Sequence, residues 1–223
     1  MIGKENTMTS KRNTELASII SIYLYGSTIY GTARERSDFD LIVVVDRKDD
    51  VTITSRSIAI AREYFQLSMS KFDVNIYTEE EFLRGLNGME ISFLECVNDM
   101  RAFSFTGTLI FGKKHVMPKI HLPTLRDAIS KKASNSWVKA KKKLTVPEDY
   151  NLDIGRKSAW HALRILDFGI QLAQTGRIYE IAAPTMAFLF FDIMACSTWE
   201  EIDQKFRKEY NGLSTEFRKV APK

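Results

Sequence analysis

Cysteine is scarce in this chain. Only Cys96 and Cys196 occur among its 223 residues, far apart and outside any Cys-x-x-Cys pair. That usage points to two free, buried thiols in a reducing compartment rather than to a disulfide framework. Histidine is almost as rare, with three copies and no Cys/His cluster, so nothing in the sequence supports a zinc site. No apolar run approaches the roughly 20 residues needed to cross a bilayer. The densest stretch, 182–191, is interrupted by Pro184 and Thr185 and reads as a buried helix. Residues 1–12 are polar and lack the apolar core of a signal peptide. Internal repeats and low-complexity tracts are also missing. These absences together predict a cytoplasmic protein with no membrane contact.

What is present is ordinary in amount and uneven in placement. An apolar fraction of 44% and a charged fraction of 27% suit a globular protein large enough for one big domain or two smaller ones sharing a groove. The net charge of +4 is modest. Between Lys113 and Lys143, however, ten Lys or Arg face the single acid Asp127. Such a block either attracts nucleic-acid phosphate or forms a solvated helix face.

Pattern reading places strands first and helices last. Residues 19–25 are β-branched and aromatic and stop at Gly26, so a strand is expected there. Residues 38–45 make a second strand with an apolar tail dense enough to be covered on both faces. Helical spacing through Ile58, Ala61, Tyr64 and Phe65 predicts a helix over 54–67. A third strand is expected over 71–77, followed by a helix that Thr78 and Glu81 open as a capping box. Residues 90–118 carry no decisive pattern. Beyond them, helices are predicted from Pro123 to about Leu144, over 153–175 with a stop at Gly176, over 184–196 and over 199–217. This order predicts an α+β fold: a small mixed sheet over 1–118 and an all-helical region over 119–223 forming the other wall of a groove. Met89, Met100 and Trp137 are expected as core.

The chemistry concentrates between the first two strands. Gly26 lets backbone approach an anion closely, and Ser27 adds a hydroxyl and a main-chain N–H. A P-loop is ruled out, because Thr32 stands where the lysine would have to follow Gly31. Asp38 and Asp40, two apart, present their carboxylates to one side. Like charges so close repel unless a cation lies between them, and hard oxygens favour Mg²⁺ or Mn²⁺. Asp73 opens the third strand, and adjacent pairing would bring it beside Asp40. Three carboxylates in that arrangement can hold two ions about 3.5–4 Å apart.

Gly26-Ser27, Asp38-Phe39-Asp40 and the later Asp73 resemble the signature of the DNA polymerase β-like nucleotidyltransferase superfamily. The form Gly-Ser-x-x-Tyr-Gly followed by Ser-Asp-x-Asp is most similar to stand-alone microbial and phage nucleotidyltransferases with a helical C-terminal extension. The resemblance covers residues 19–77. It implies that Asp38 and Asp40 bind both metals, that Asp73 binds the catalytic one and helps activate an attacking hydroxyl, and that Ser27 contacts the β- or γ-phosphate of an NTP. Ser37 either bonds to phosphate or caps the strand.

A second constellation is Lys157, His161 and Arg164, at i, i+4 and i+7 on one arc of a helix. It is expected to hold the triphosphate or the acceptor's phosphate, with His161 as a phosphate or base contact rather than a general base, or else to be a plain polar face. Arg34 and Arg36, flanking the aspartates, would screen the triphosphate or stay solvated. The activity implied is transfer of a nucleoside monophosphate from an NTP to an acceptor hydroxyl, with an RNA 3′ end favoured by the basic block. An AMP-transferring antitoxin acting on a partner protein, and a non-catalytic NTP- or RNA-binding module, are the competing readings. A small-molecule acceptor is disfavoured because no acidic pocket is visible beyond the metal site.

Overall fold

The computed structural model describes residues 16–33, 37–66, 71–98, 108–179 and 184–223. Its sheet has four strands in the order β3-β2-β1-β4. These are β1 (Ile19–Tyr25), β2 (Phe39–Val45), β3 (Phe72–Thr78) and β4 (Leu109–Gly112). β1 runs antiparallel to β2 and to β4, whereas β2 and β3 are parallel. The sheet is therefore mixed, as the α+β expectation required. Leu41 through Val45 are all buried, which explains the unbroken apolar run of β2.

Helices α1 (Ile53–Phe65), α2 (Glu79–Asn87) and α3 (Ile91–Val97) pack on this sheet. Ile53, Ser57 and Ala61 form the buried face of α1, while Tyr64, one of the residues that set its helical spacing, is exposed. The helix turns off at Gln66, whose backbone is left-handed, and residue 67 lies outside the described residues. Thr78 closes the predicted capping box: it accepts from Glu81 N–H at 3.2 Å and donates its own N–H to Glu81 Oε2 at 2.8 Å. Within the unassigned 90–118 stretch lie α3 and the short β4, which among the described residues pairs only with β1. Met100, expected in the core, falls outside the described residues, whereas Met89 is buried.

Four further helices follow: α4 (Leu122–Thr145), α5 (Leu152–Thr175), α6 (Pro184–Ala195) and α7 (Trp199–Val220). α5 is the hub, packing against α4, α6 and α7, and most of its circumference is buried. α4 and α5 approach closely because Gly155 leaves room for Leu144; a Cβ there would meet Leu144 Cγ at 2.5 Å. Gly176, in the left-handed region at φ +75°, ends α5 as predicted. Trp137 on α4 is buried and stacks on Tyr210 of α7 with ring centroids 4.4 Å apart. α6 departs from expectation. It carries Phe190 and Ile193 inside but leaves Phe188 and Phe191 exposed, so it is not a fully buried helix. Both cysteines are free and buried. Among the described residues no helix is long and apolar enough to cross a membrane.

Candidate active-site groove

The C-terminal end of β1 and the N-terminal ends of β2 and β3 meet at one edge of the sheet. Tyr25 pairs with Asp40, and Asp40 pairs with Asp73, so the register carries a row of polar side chains across three strands. Residues directly opposite in adjacent strands share a face. Asp38 lies just before β2 and is exposed. Asp40 is half-buried, and burial raises its pKa to about 6, with the charges of Asp73 and Asp38 pushing the same way and the Ser27 N–H and Lys157 opposing. The Tyr25 hydroxyl accepts from Asn75 Nδ2 at 2.9 Å. Burial, then Asp40 and Asp73, drive its pKa well up, so it stays protonated.

Gly26 has φ +79°, and the space where its Cβ would stand is taken by Asp40: Oδ2 would be 1.9 Å away. The chain then turns through a short 3₁₀ segment, Gly26–Thr28, fastened by Ile29 N–H to the Gly26 carbonyl at 3.0 Å and Thr32 N–H to the Ser27 carbonyl at 3.0 Å. Because the Ser27 N–H donates to Asp40, the Ser27 group left for a ligand is its hydroxyl.

Among the described residues no group of three or more His, Cys, Asp or Glu side chains converges as a ready-made metal cage. The local chemistry nevertheless fits a divalent cation. Three hard-oxygen carboxylates act on one another, and the one most removed from water has a proton affinity raised partly by the other two. A cation would relieve that repulsion, and carboxylate oxygens are the donors a hard divalent ion prefers.

The groove above this edge has a volume of about 830 Å³. Gly26, Ser27, Ser37, Asp38 and Asp40 line one side, and Lys157, His161 and Arg164 of α5 line another. Asp73 is not part of that lining; it sits beside Asp40 on the exposed side. Arg34 and Arg36 lie outside the described residues.

The three α5 residues do not form a cationic stripe. Lys157 pairs with Asp153 at 2.7 Å, one turn away on the same helix. Arg164 is buried and ion-paired with Glu95 of α3. Its guanidinium lies 3.8 Å from the Tyr30 ring centroid, and Tyr30 donates its hydroxyl to Glu95 Oε2 at 2.5 Å. Burial, followed by the positive charges of Arg164, Lys139, Lys132 and Lys157, lowers the His161 pKa to about 3, so the ring is neutral.

The basic block is likewise divided by the fold. Lys113 pairs with Glu79 at 2.7 Å, Lys142 and Lys143 pair with Asp149, and Arg126 caps carbonyls at the end of α7. Lys132 and Lys139 instead line the groove, with Asn135 and Ser136 between them. Their seven-residue spacing, two helical turns on one face, was a readable signal that the sequence reading left inside the larger block. Glu95 was missed as well. A lone acid within Phe93-Leu94-Glu95-Cys96-Val97 is itself a sign of a buried charge that needs a partner.

Residues 8–98 match the family model described as nucleotidyltransferase domain. That span contains Gly26, Ser27, Asp38, Asp40 and Asp73. No curated protein matches the chain. Among solved structures, spectinomycin adenyltransferase AAD(9) from Enterococcus faecialis, with ATP and spectinomycin, is similar at 14% identity and a TM-score of 0.40, over 90% of this chain and 92% of that one.

Proposed function

We propose that the groove moves a nucleoside monophosphate from a metal-bound NTP to an acceptor hydroxyl and releases pyrophosphate, a reading supported by the match of residues 8–98 to the nucleotidyltransferase domain model. The observation that carries this reading is the pairing of Asp40 with Asp73 beside the Gly26-Ser27 turn. Asp38, Asp40 and Asp73 would hold Mg²⁺ or Mn²⁺, two ions in all. The metal, when bound, supplies charge neutralisation at the α-phosphate and at the departing pyrophosphate.

The protein's own residues do the rest. The Ser27 hydroxyl and the ammonium groups of Lys157, Lys132 and Lys139 orient the triphosphate, with Ser37 beside Asp38 completing that rim. Asp73 accepts the proton of the attacking hydroxyl. The acceptor's hydroxyl oxygen, its proton passed to Asp73, forms a new bond to the α-phosphorus as the bond from that phosphorus to the α,β-bridging oxygen breaks and pyrophosphate leaves. Tyr25, kept protonated, buttresses the carboxylate edge from below.

For the acceptor, an RNA 3′ hydroxyl is the reading that α4 supports. Lys131, Lys132, Lys139 and Lys141 are exposed on that helix, and two of them reach the groove. A basic helix bordering the cleft suits a phosphate backbone whose end lies at the carboxylates. The test is incubation with each labelled NTP, Mg²⁺ and total RNA. Label appearing in RNA, and lost in Asp38→Asn and Asp40→Asn, is the expected result. Label appearing on protein instead would move the acceptor to a protein hydroxyl, and undiminished transfer by both variants would sink the assignment.

A further inference from the structure

Arg164 can only donate hydrogen bonds, and its Nη2 lies 3.4 Å from Nδ1 of His161. An Nδ1 that accepts carries no proton, so the ring's single proton resides on Nε2. The donor is fixed from three parts of the fold. Glu95 on α3 holds Nη1 in an ion pair, the Tyr30 ring lies 3.8 Å from the guanidinium carbon, and α5 supplies Arg164 itself. Glu95 is in turn occupied by both Arg164 and Tyr30, so its charge is spent within this cluster.

The charged groups acting most strongly on the imidazole are all positive: Arg164 and Lys157 from α5, Lys139 and Lys132 from α4. Together with burial they exclude a second proton. A neutral ring offers a phosphate far less than the neighbouring ammonium groups do. Its surroundings also change character. The Trp160 ring is 5.2 Å from His161 and 5.3 Å from Phe190, and Trp160, Ile165 and Phe190 border the groove there. That end of the cleft suits a sugar and base better than a polyphosphate.

We infer that His161 acts as an uncharged donor, through Nε2–H, to a neutral oxygen or nitrogen on the nucleoside part of the NTP. The inference rests on the nucleotidyl-transfer reading and separates the nucleoside contact at His161 from the phosphate contacts at the lysines. It makes His161 a specificity-determining residue whose tautomer Arg164, Glu95 and Tyr30 maintain.

Two measurements on the full chain test it. Long-range ¹⁵N correlation spectra, with the His161 signal identified by its loss in His161→Gln, should show a neutral Nε2–H tautomer from pH 8 down to pH 5. A protonated ring at pH 6, or the Nδ1–H tautomer, overturns the inference. Calorimetric titration should then show His161→Leu weakening NTP binding roughly threefold to tenfold while inorganic tripolyphosphate binds as before. His161→Gln, which keeps a neutral N–H donor, should recover part of the loss. Equal weakening for NTP and tripolyphosphate would make His161 a phosphate ligand, and no change for either would remove it from the site; both outcomes refute the proposal. Failure of the unmodified protein to bind any of the four NTPs would instead refute the underlying nucleotidyl-transfer reading.

Discussion

Asp40 occupies the place where a side chain on Gly26 would begin: a Cβ at that glycine would stand 1.9 Å from Asp40 Oδ2. The glycine of the turn and the second aspartate of the motif are thus one steric unit, although thirteen residues separate them. Glycine is required here twice over, since φ at this position is +79°.

Gly26→Ala should therefore disable the site more than it destabilises the fold. The methyl group displaces the Asp40 carboxylate from the Ser27 N–H, and nucleotidyl transfer should fall at least about a hundredfold, as expected for misplacing a reacting group by about an ångström. The cost in stability should be about 1–3 kcal/mol, from backbone strain. Single-turnover transfer and urea unfolding on one preparation check both halves.

Asp40→Asn should abolish transfer without weakening the protein. Burial and the charges of Asp73 and Asp38 disfavour the ionised carboxylate, which raises its pKa to about 6. Removing that charge should leave stability unchanged or raise it by about 1 kcal/mol after allowance for solvent screening. A midpoint lowered by several degrees in thermal melts would contradict the account of Asp40 as a carboxylate held for function at a cost to folding.

The buried pair of Glu95 and Arg164 should behave as a unit. Glu95→Leu or Arg164→Met alone leaves an uncompensated charge in the core and should cost about 3–5 kcal/mol. The double variant should be more stable than either single one. Denaturant unfolding of the three variants closes the cycle, and additive losses would show that the pair is not coupled.

Acid should destabilise the fold through His161. With its pKa lowered to about 3, the folded ring takes up no proton between that value and about 6.5, whereas the unfolded chain does. Unfolding therefore gains protons as pH falls below about 6.5, and the stability that a neutral ring provides is fully present above that pH and lost below it. At pH 5 the loss should reach about 1–2 kcal/mol relative to pH 7.5. His161→Gln should flatten that part of the profile. His115, lowered by burial and by the Lys113 charge against its contact with Glu79, acts in the same direction and should account for the slope that remains.

Lys132→Ala and Lys139→Ala should each raise the KM for NTP roughly threefold to tenfold, with little change in kcat or stability. The losses should shrink as ionic strength rises, since the contacts are partly exposed. Lys142→Ala, on the same helix but paired with Asp149, serves as the control that should leave KM unchanged.

Sequence alone determined the elements whose signals are local. The β-branched run of β1, the capping box at Thr78, the Gly176 stop and the Gly26-Ser27 and Asp38-x-Asp40 spacing each depend on neighbours within a few residues, and a linear chain displays such patterns directly. Tertiary structure decided what distance along the chain conceals. β4 spans only four residues and is a strand because β1 lends it a partner. Lys157, His161 and Arg164 share an arc of α5, yet one is bonded along its own helix, one is held neutral and one is buried against Glu95, an acid sixty-nine positions away. The charge a side chain carries, and where it points, follow from desolvation and from partners brought close by folding, and no periodicity in the chain encodes either.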